Sequence, residues 1–265
     1  MPHHRGAPDL TMPVEFVGEV ARKQGEAALL AREAARTAAA VAAAPDDVLV
    51  PRVVAADVPG VLDTARVPGF RSLFDLAVAG DPGLERRCAA AGRALAHFQQ
   101  TLRPPAWDGP VLPPPFDGAG DAPVAVHGDF NGSNVGWDEK ADRLVVLDWS
   151  PAPTLGVRGD VGSKWFDPVW FTLFFFRFRP FDARVRWRPE AWSTAFLTAY
   201  DPSPAAPRAF LAFAQAIAPW LDRDYAAERV RRGRGIRWLP FRLWQSAGRR
   251  RWTRFVAARA GVAVP

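Results

Sequence analysis

The sequence predicts an α+β protein of two lobes, a small amino-terminal lobe with strands and one helix and a mainly helical carboxy-terminal lobe. Three observations predict this architecture. A chain of 265 residues suits one large domain or two small lobes. Stretches rich in β-branched residues fall early and in the middle of the chain, and helix formers dominate after residue 165.

The amino-terminal lobe is expected to hold one helix between extended segments. The valines and the phenylalanine of residues 14–23 are typical of a short strand. Residues 26–44 are almost all alanine, leucine and charged residues, and this helix ends at Pro45. Residues 48–55 and 61–67 are β-branched and bounded by Pro-Gly pairs, which predicts two paired strands.

The carboxy-terminal lobe is expected to combine helices with a central hairpin. Residues 124–150 read as strand, polar loop, strand, turn and strand. Apolar residues at helical spacing predict helices before and after this segment, at residues 72–79, 84–102, 165–181, 191–200 and 208–221. Basic, aromatic helices are expected at residues 223–259.

The composition excludes several classes of protein. Cys88 is the only cysteine, so the chain cannot form an intramolecular disulfide or a thiolate-rich zinc site. No apolar run approaches the roughly 18 residues of a membrane span, and the first ten residues lack the apolar centre of a signal peptide. We therefore expect a soluble cytoplasmic protein in which Cys88 is a buried, unreactive thiol.

The net charge of +6 is concentrated at the carboxy terminus. Residues 223–259 hold twelve arginines and two acids, a net charge of +10, so the rest of the chain carries −4. The arginines are interleaved with tryptophan and phenylalanine. This pattern suits either a solvated helical face or contact with an anionic substrate or an anionic membrane surface. If the contact is with a membrane, we expect it at the inner membrane surface. Nucleic acid is not favoured as a partner, because no recognised nucleic-acid module accompanies the charge.

The segment 124–150 brings together polar residues that suit phosphoryl transfer. If residues 138–142 form the turn of a hairpin, Asn134 faces Asp148 at its open end, and Asp129 enters the same end from the preceding strand. A carboxylate can accept a hydroxyl proton, and amide and carboxylate oxygens suit Mg²⁺, a hard cation. Phosphoryl transfer asks mainly for positioning and charge neutralisation. The alternative is that these are ordinary turn residues at strand ends.

Two motifs in this segment resemble those of a known family. His-Gly-Asp at residues 127–129, with Asn134 five residues after the aspartate, and Leu-Asp-Trp at residues 147–149 resemble the catalytic and metal motifs of the aminoglycoside phosphotransferase and choline kinase-like families. These families share the protein-kinase-like fold. The resemblance implies an ATP- and Mg²⁺-dependent phosphotransferase that acts on a hydroxyl of a small molecule.

The resemblance also implies a role for each residue of the motifs. Asp129 would be the catalytic base, and His127 would shape the catalytic loop around it. Asn134 and Asp148 would bind Mg²⁺.

Weaker matches extend the resemblance along the chain. Lys23 and Glu33 resemble the lysine and helix glutamate that together hold the ATP phosphates, with a solvated lysine and a helix-surface acid as the alternative. Residues 67–69, Val-Pro-Gly, look like the hinge between the lobes, and this resemblance implies lobes of residues 1–68 and 69–265. Asp160 and Asp167 compete for the role of the later aspartate that braces the catalytic loop.

Departures from the family pattern leave two functions open. Only 22 residues precede Lys23 and they contain no glycine-rich loop, so the amino-terminal lobe is expected to be truncated relative to the family pattern. The first function is an active kinase for a small hydroxylated acceptor of the aminoglycoside, choline, sugar or lipid-linked type. The second is a catalytically impaired kinase-like accessory or binding protein, able to dock on an anionic membrane or polyanion through its basic carboxy terminus.

Two further features have a structural and a functional interpretation. The aromatic block of residues 165–178 is either core or the lining of a pocket for a hydrophobic acceptor. His97, on the apolar face of the predicted helix 84–102, is expected to be a core histidine with its hydrogen bonds satisfied.

Overall fold

Three small β-sheets and a set of helices form the protein, as seen in a computed structural model that describes residues 14–102, 109–118, 122–150, 159–180, 186–223 and 239–263. The strands are β1 (Val14–Val17), β2 (Val20–Gln24), β3 (Val48–Leu49), β4 (Val53–Ala55), β5 (Val61–Ala65), β6 (Phe70–Ser72), β7 (Val124–Ala125), β8 (Val135–Asp138), β9 (Arg143–Val146) and β10 (Val161–Gly162). The helices are α1 (Ala27–Ala43), α2 (Leu73–Val78), α3 (Leu84–Thr101), α4 (Phe166–Arg177), α5 (Pro189–Tyr200), α6 (Ala206–Ala216) and α7 (Leu239–Arg259).

The first sheet is antiparallel, with the strand order β1-β2-β5-β4. The predicted single strand 14–23 is a hairpin instead, because Gly18 adopts a φ of 57° and closes a tight turn between β1 and β2. The predicted strand 48–55 is divided in two. Pro51, which has no backbone N–H to donate, lies between the two halves. β4 pairs with β5 as expected, whereas β3 joins a different sheet.

Helix α1 confirms the predicted helix and ends before Pro45. Its buried side chains are spaced at three and four residues, so one face packs inward, but that face includes polar and charged residues. The buried residues of this face are Leu30, Glu33, Arg36, Thr37 and Ala40. Helix α1 therefore presents two charged side chains, Glu33 and Arg36, to the rest of the molecule.

The second sheet carries the predicted hairpin and has the order β3-β9-β8-β6, in which β3 runs parallel to β9. β8 extends through Asp138, which pairs with Arg143, so the turn comprises residues 139–142. The predicted pairing of Asn134 with Asp148 is therefore wrong by one residue. The carbonyl oxygen of Asn134 instead accepts a hydrogen bond of 2.8 Å from the Leu147 amide.

The third sheet pairs β7 with β10, and helix α3 packs against both the second and the third sheet. α3 lies along α5 at close range. A side chain at Gly92 would come within 2.3 Å of the Phe196 carbonyl oxygen, so glycine permits this approach. Cys88 is fully buried on α3 and burial raises the pKa of its thiol far above the usual range, as expected for an unreactive cysteine. His97 is half-buried and contacts the Ala43 carbonyl oxygen at 2.9 Å.

The described part of the basic carboxy-terminal segment, residues 239–263, packs against the core. Trp252 of α7 is buried and its indole N–H donates to the Thr172 hydroxyl at 3.0 Å. Arg251 forms an ion pair with Glu190, and Arg249 pairs with Asp222 at 2.5 Å. Residues 224–238, which carry much of the predicted basic segment 223–259, lie outside the described residues. Contact with a membrane surface stays a prediction, and none of the described helices combines the length and apolarity needed to cross a bilayer.

Candidate active site

A cleft of about 400 Å³ lies between the first sheet, helix α1 and the β8–β9 hairpin. Its inner end is polar and carries Lys23, Glu33 and Asp148. Its outer end includes Phe16 of β1, the predicted hinge residues Val67 and Pro68, and Arg66, whose guanidinium lies 5.0 Å from the centroid of the Phe16 ring. A cleft with a charged inner end and aromatic and aliphatic side chains at its outer end suits a ligand with a charged part and a flat apolar part.

Lys23 forms two ion pairs at the inner end of this cleft. Its Nζ lies 2.5 Å from Glu33 Oε1 and 2.6 Å from Asp148 Oδ1. Burial alone would lower the pKa of Lys23, but the charges of Asp148 and Glu33 outweigh it and raise the pKa. Burial raises the pKa of Glu33, although the charge of Lys23 opposes this rise. The predicted lysine–glutamate pair is thus present in the structure, and the lysine is held protonated.

Asp148 reaches the cleft because of its backbone conformation. It follows β9 and has a φ of 58°, in the left-handed region that aspartate tolerates better than most residues. This turn directs the carboxylate towards Lys23, and about a third of the side chain, 35%, remains exposed. This left-handed conformation of Asp148 compensates for the one-residue difference in hairpin register. Asn134 and Asp148 therefore both line the cleft.

Asp129 is held by the loop that follows β7. Its carboxylate accepts hydrogen bonds from Asn131 Nδ2 at 2.7 Å and from Asn134 Nδ2 at 2.8 Å. Burial, together with the nearby charge of Asp148, raises the pKa of Asp129 to about 6, and the two amide hydrogen bonds oppose that rise. The carboxylate is therefore fixed in orientation and is a proton acceptor near neutral pH.

His127 lies behind Asp129 and is buried in the protein. Its Nε2 is 2.9 Å from the Leu147 carbonyl oxygen, so this nitrogen carries the proton and donates. Burial and the nearby charge of Arg36 lower the pKa of His127 to about 3, which keeps the ring neutral. The ring also packs against Trp149, with 4.6 Å between ring centroids. We call residues 126–134, which connect β7 to β8, the catalytic loop. His127 therefore joins this loop to Leu147 and Trp149 at the end of the β8–β9 hairpin.

Asp167 braces the catalytic loop, which decides between the two predicted candidates. Its carboxylate accepts hydrogen bonds from the amides of His127 at 2.8 Å and Gly128 at 3.0 Å. Burial raises the pKa of Asp167 to about 6 in spite of these bonds. Asp160 instead pairs with Arg32 and Arg36 of α1.

Arg36 is the site residue that the sequence interpretation missed. Its Nη1 donates to Asp160 Oδ1 at 2.7 Å, and its Nη2 donates to the carbonyl oxygens of Val126 at 2.7 Å and His127 at 2.9 Å. The side chain is only 5% exposed. Helix α1 therefore holds Lys23 through Glu33 and the catalytic loop through Arg36. The signal was the position of Arg36 one helical turn after Glu33, which places both side chains on one face of the predicted helix.

A second cleft, of about 330 Å³, lies on the other side of the catalytic loop. Asp129 and Asn131 line it on the loop side, and Trp170, Phe174 and other residues of α4 form the opposite wall. Asn134 lines both clefts. Asp129 thus faces the second cleft at the place where the two adjoin.

The residues that line the first cleft fit a magnesium ion. Asn134 uses Nδ2 for its bonds to Asp129, which turns its oxygen away from that residue, and Asp148 supplies a carboxylate in the same cleft. Mg²⁺ is commonly bound by one or two protein oxygens together with substrate phosphates. Within the described part of the chain, no group of three or more His, Cys, Asp and Glu side chains is arranged to hold a metal without such phosphates.

Comparison with solved structures assigns the fold. A choline/ethanolamine kinase family protein from Mesorhizobium loti aligns over 96% of this chain and 95% of its own, with a TM-score of 0.55 and 15% sequence identity. A glucosamine kinase in complex with glucosamine, ADP and inorganic phosphate aligns over 94% of this chain and 79% of its own, with a TM-score of 0.52 and 18% identity. A second crystal form of glucosamine kinase gives a TM-score of 0.51. The chain has the protein-kinase-like fold.

The protein-kinase-like fold confirms the predicted fold class and the resemblance noted in the sequence. No protein-family model and no curated protein matches the chain. Within this fold, the structure brings all the predicted site residues into one region, which comprises Lys23, Glu33, His127, Asp129, Asn134 and Asp148. His127 lies behind the loop and lines neither cleft, and the other five line one or both clefts.

Proposed function

We propose that this protein is an ATP- and Mg²⁺-dependent phosphotransferase that moves the γ-phosphate to a hydroxyl of a small molecule. One observation carries the proposal. Asp129, held by two amides and raised in pKa, stands at the junction of a charged cleft and an aromatic cleft. A phosphate donor in the first cleft and an alcohol in the second would meet at this carboxylate.

The first cleft suits the nucleotide. Lys23, held between Glu33 and Asp148, presents a fixed positive charge for phosphate oxygens. Val14 and Phe16 of β1, both exposed, line the outer end, where the flat face of a base would cover their apolar side chains. Asn134 and Asp148 would hold Mg²⁺, which when bound neutralises phosphate charge as it develops during transfer.

The catalytic loop supplies the proton acceptor. Asp129 takes the proton of the acceptor hydroxyl as the hydroxyl oxygen bonds to the γ-phosphorus and ADP departs. Asn131 and Asn134 fix the direction of the carboxylate, and Asp167 fixes the loop backbone on which it is mounted. His127 stays neutral and holds the loop, so it does not exchange protons with the acceptor.

A second candidate function is a kinase-like binding protein that does not turn over ATP. The observation in its favour is the turn between β1 and β2, which consists of Gly18 and Glu19 and is too short to form a phosphate-covering loop. The retained carboxylate, amide and lysine set favours the active enzyme over this candidate.

Turnover measurements separate the two candidates. With ATP, Mg²⁺ and a panel of hydroxylated acceptors, the active enzyme forms ADP and a phosphorylated acceptor, and Asp129→Asn lowers kcat by about 10²–10⁴-fold. Asp57→Asn, a change at an exposed acid that lines neither cleft, serves as the control and leaves kcat unchanged. Nucleotide binding is measured separately as a rise in melting temperature with ATP and Mg²⁺. Binding without any acceptor-dependent turnover would support the second candidate, and the absence of both would refute the two.

A further inference from the structure

A buried polar network joins three helices around Asp167. Gln99 belongs to α3, Tyr200 is the last residue of α5, and Asp167 lies in the first turn of α4. None of these three side chains lines either cleft, and each residue is at most 7% exposed. An effect of Gln99 or Tyr200 on the reaction therefore has to act through the residues that they contact.

The Gln99 carboxamide uses both its nitrogen and its oxygen in this network. Its Nε2 donates to the Asp167 carboxylate and, at 3.3 Å, to the Lys164 carbonyl oxygen. Its Oε1 accepts from the Tyr200 hydroxyl at 2.5 Å, and this hydroxyl also lies 2.7 Å from the Lys164 carbonyl oxygen. A reversed amide would direct its oxygen at the carboxylate, and an ionised carboxylate has no proton to donate. The network therefore favours one orientation of Gln99.

Tyr200 is held in place by the packing of α3 against α5. A side chain at Gly92 of α3 would come within 3.1 Å of the Tyr200 amide nitrogen, so the two helices are in close contact at this point. The Tyr200 ring packs against Trp165, with 5.6 Å between ring centroids, and stacks on Phe196. The hydroxyl and the Gln99 oxygen that it bonds therefore have fixed positions.

Asp167 connects this network to the catalytic loop. Its Oδ2 accepts from the His127 amide and its Oδ1 accepts from the Gly128 amide, so a rotation of the carboxylate would displace both amides. Gly128 has a φ of 92°, in the left-handed region, and the next residue is Asp129. The direction of the Asp129 side chain thus depends on where Asp167 holds the backbone before it.

Gln99 also favours the ionised form of Asp167. Burial raises the pKa of Asp167 to about 6, and the bonds from two loop amides, the charge of Arg36 and the bond from Gln99 oppose that rise. An ionised carboxylate accepts at both oxygens, whereas a protonated one uses one oxygen as a donor. Loss of the Gln99 amide would therefore weaken the bonds that Asp167 makes to the loop.

We propose that Gln99 and Tyr200 are positioning residues for the phosphoryl transfer, which set the direction of Asp129 through Asp167 and the loop backbone. The proposal rests on the proposed function and adds two residues to it. A misplacement of about 1 Å in a reacting group can cost about 10²-fold in rate. Because neither residue lines the nucleotide cleft, we expect their loss to lower kcat and to leave KM for ATP unchanged.

Gln99→Met tests the proposal, and Gln100→Met is its matched control. Methionine has a similar length to glutamine but lacks the amide, and Gln100 is the next residue of α3 and is exposed. The assay contains ATP, Mg²⁺ and the best acceptor of a panel that includes choline and glucosamine. We expect Gln99→Met to lower kcat at least about tenfold while KM for ATP changes by less than about twofold, and the control to match the wild type. An unchanged kcat, or a KM for ATP that rises as kcat falls, would overturn the proposal.

Tyr200→Phe is a milder variant of the same network. It keeps the ring that packs against Trp165 and removes only the hydroxyl. We expect a smaller fall in kcat than in Gln99→Met, again with KM for ATP unchanged, because Gln99 keeps its bond to Asp167. A melting curve of each variant shows whether it has folded. If Gln99→Met does not fold, Tyr200→Phe decides, and a wild-type kcat in that variant overturns the proposal.

Amide hydrogen exchange measures the position of the loop without turnover. In Gln99→Met, residues 126–134 are expected to exchange about two- to tenfold faster than in the wild type, the range that loss of one hydrogen bond allows, while residues 14–24 keep their rate. Equal exchange of the loop in the two proteins would overturn the proposal whether or not the protein is active. Absence of turnover in the wild type would refute the proposed function, whereas an active wild type with an equally active Gln99→Met would refute the positioning role alone.

Discussion

Arg36 of α1 is expected to be among the residues on which the stability of the catalytic loop depends most. Arg36→Met removes a guanidinium that bonds the Asp160 carboxylate and two consecutive carbonyl oxygens of the loop. Both partners of the ion pair are buried, with 5% and 3% of their side chains exposed. Asp160 keeps its pairing with Arg32 in this variant, but the two buried loop carbonyls lose this donor, which costs about 1–3 kcal/mol for each. That is a large share of the roughly 5–15 kcal/mol by which a folded protein is stable.

Urea denaturation measures this cost. Arg32→Met is the matched control, because Arg32 bonds the same Asp160 but is one third exposed and does not contact the loop. We expect the control to lose no more than about 1 kcal/mol. A double-mutant cycle of Arg36→Met with Asp160→Asn should show a coupling free energy above about 1 kcal/mol. If Arg36→Met is as mild as the control, the loop does not depend on this arginine and our reasoning is refuted.

Two further predictions concern the catalytic loop. Asp167→Ala removes the carboxylate that accepts hydrogen bonds from the buried His127 and Gly128 amides, so we expect a loss of about 1–3 kcal/mol of unfolding free energy for each bond. Asp167→Asn, which keeps one acceptor oxygen, is expected to lose less, and equal stability of both variants and the wild type in urea would contradict this role. His127 has a pKa lowered to about 3 in the folded protein against an ordinary value of 6.5, so its contribution to stability is fully present above pH 6.5 and is lost as the pH falls towards 3. The difference in unfolding free energy between the wild type and His127→Gln is therefore expected to shrink as the pH falls, by at most about 1.4 kcal/mol per pH unit. A difference that is constant between pH 7 and 4 would contradict a neutral, buried His127.

Local sequence signals were enough to predict the long helices and the motif residues. Residues 26–44 and 84–102 carry strong helix formers or regular apolar spacing, and α1 and α3 lie within two residues of those limits. The His-Gly-Asp and Leu-Asp-Trp motifs indicated the loop and the hairpin end that meet in the structure. These features depend on neighbours in the chain, which a sequence displays directly.

Features that depend on distant parts of the chain were missed or displaced. The hairpin register was predicted one residue out, because the sequence does not show where β8 ends and the turn begins. In a regular strand that error would place Asp148 on the wrong face. The left-handed conformation of Asp148 restores its direction. The contact of Arg36 with a loop 90 residues away was not predictable from spacing alone.

Strand β3 ties the two lobes together in a way that bears on how the protein can be divided. Val48 and Leu49 belong to the predicted amino-terminal lobe, yet they pair in parallel with Leu144 and Val145 of β9. In a fragment of residues 69–265, β9 would lose its partner β3 and become an exposed sheet edge. The unpaired backbone groups of such an edge can pair with another chain. The predicted lobes should therefore be treated as one folding unit, and a fragment beginning at residue 69 is expected to aggregate rather than to provide an isolated catalytic domain.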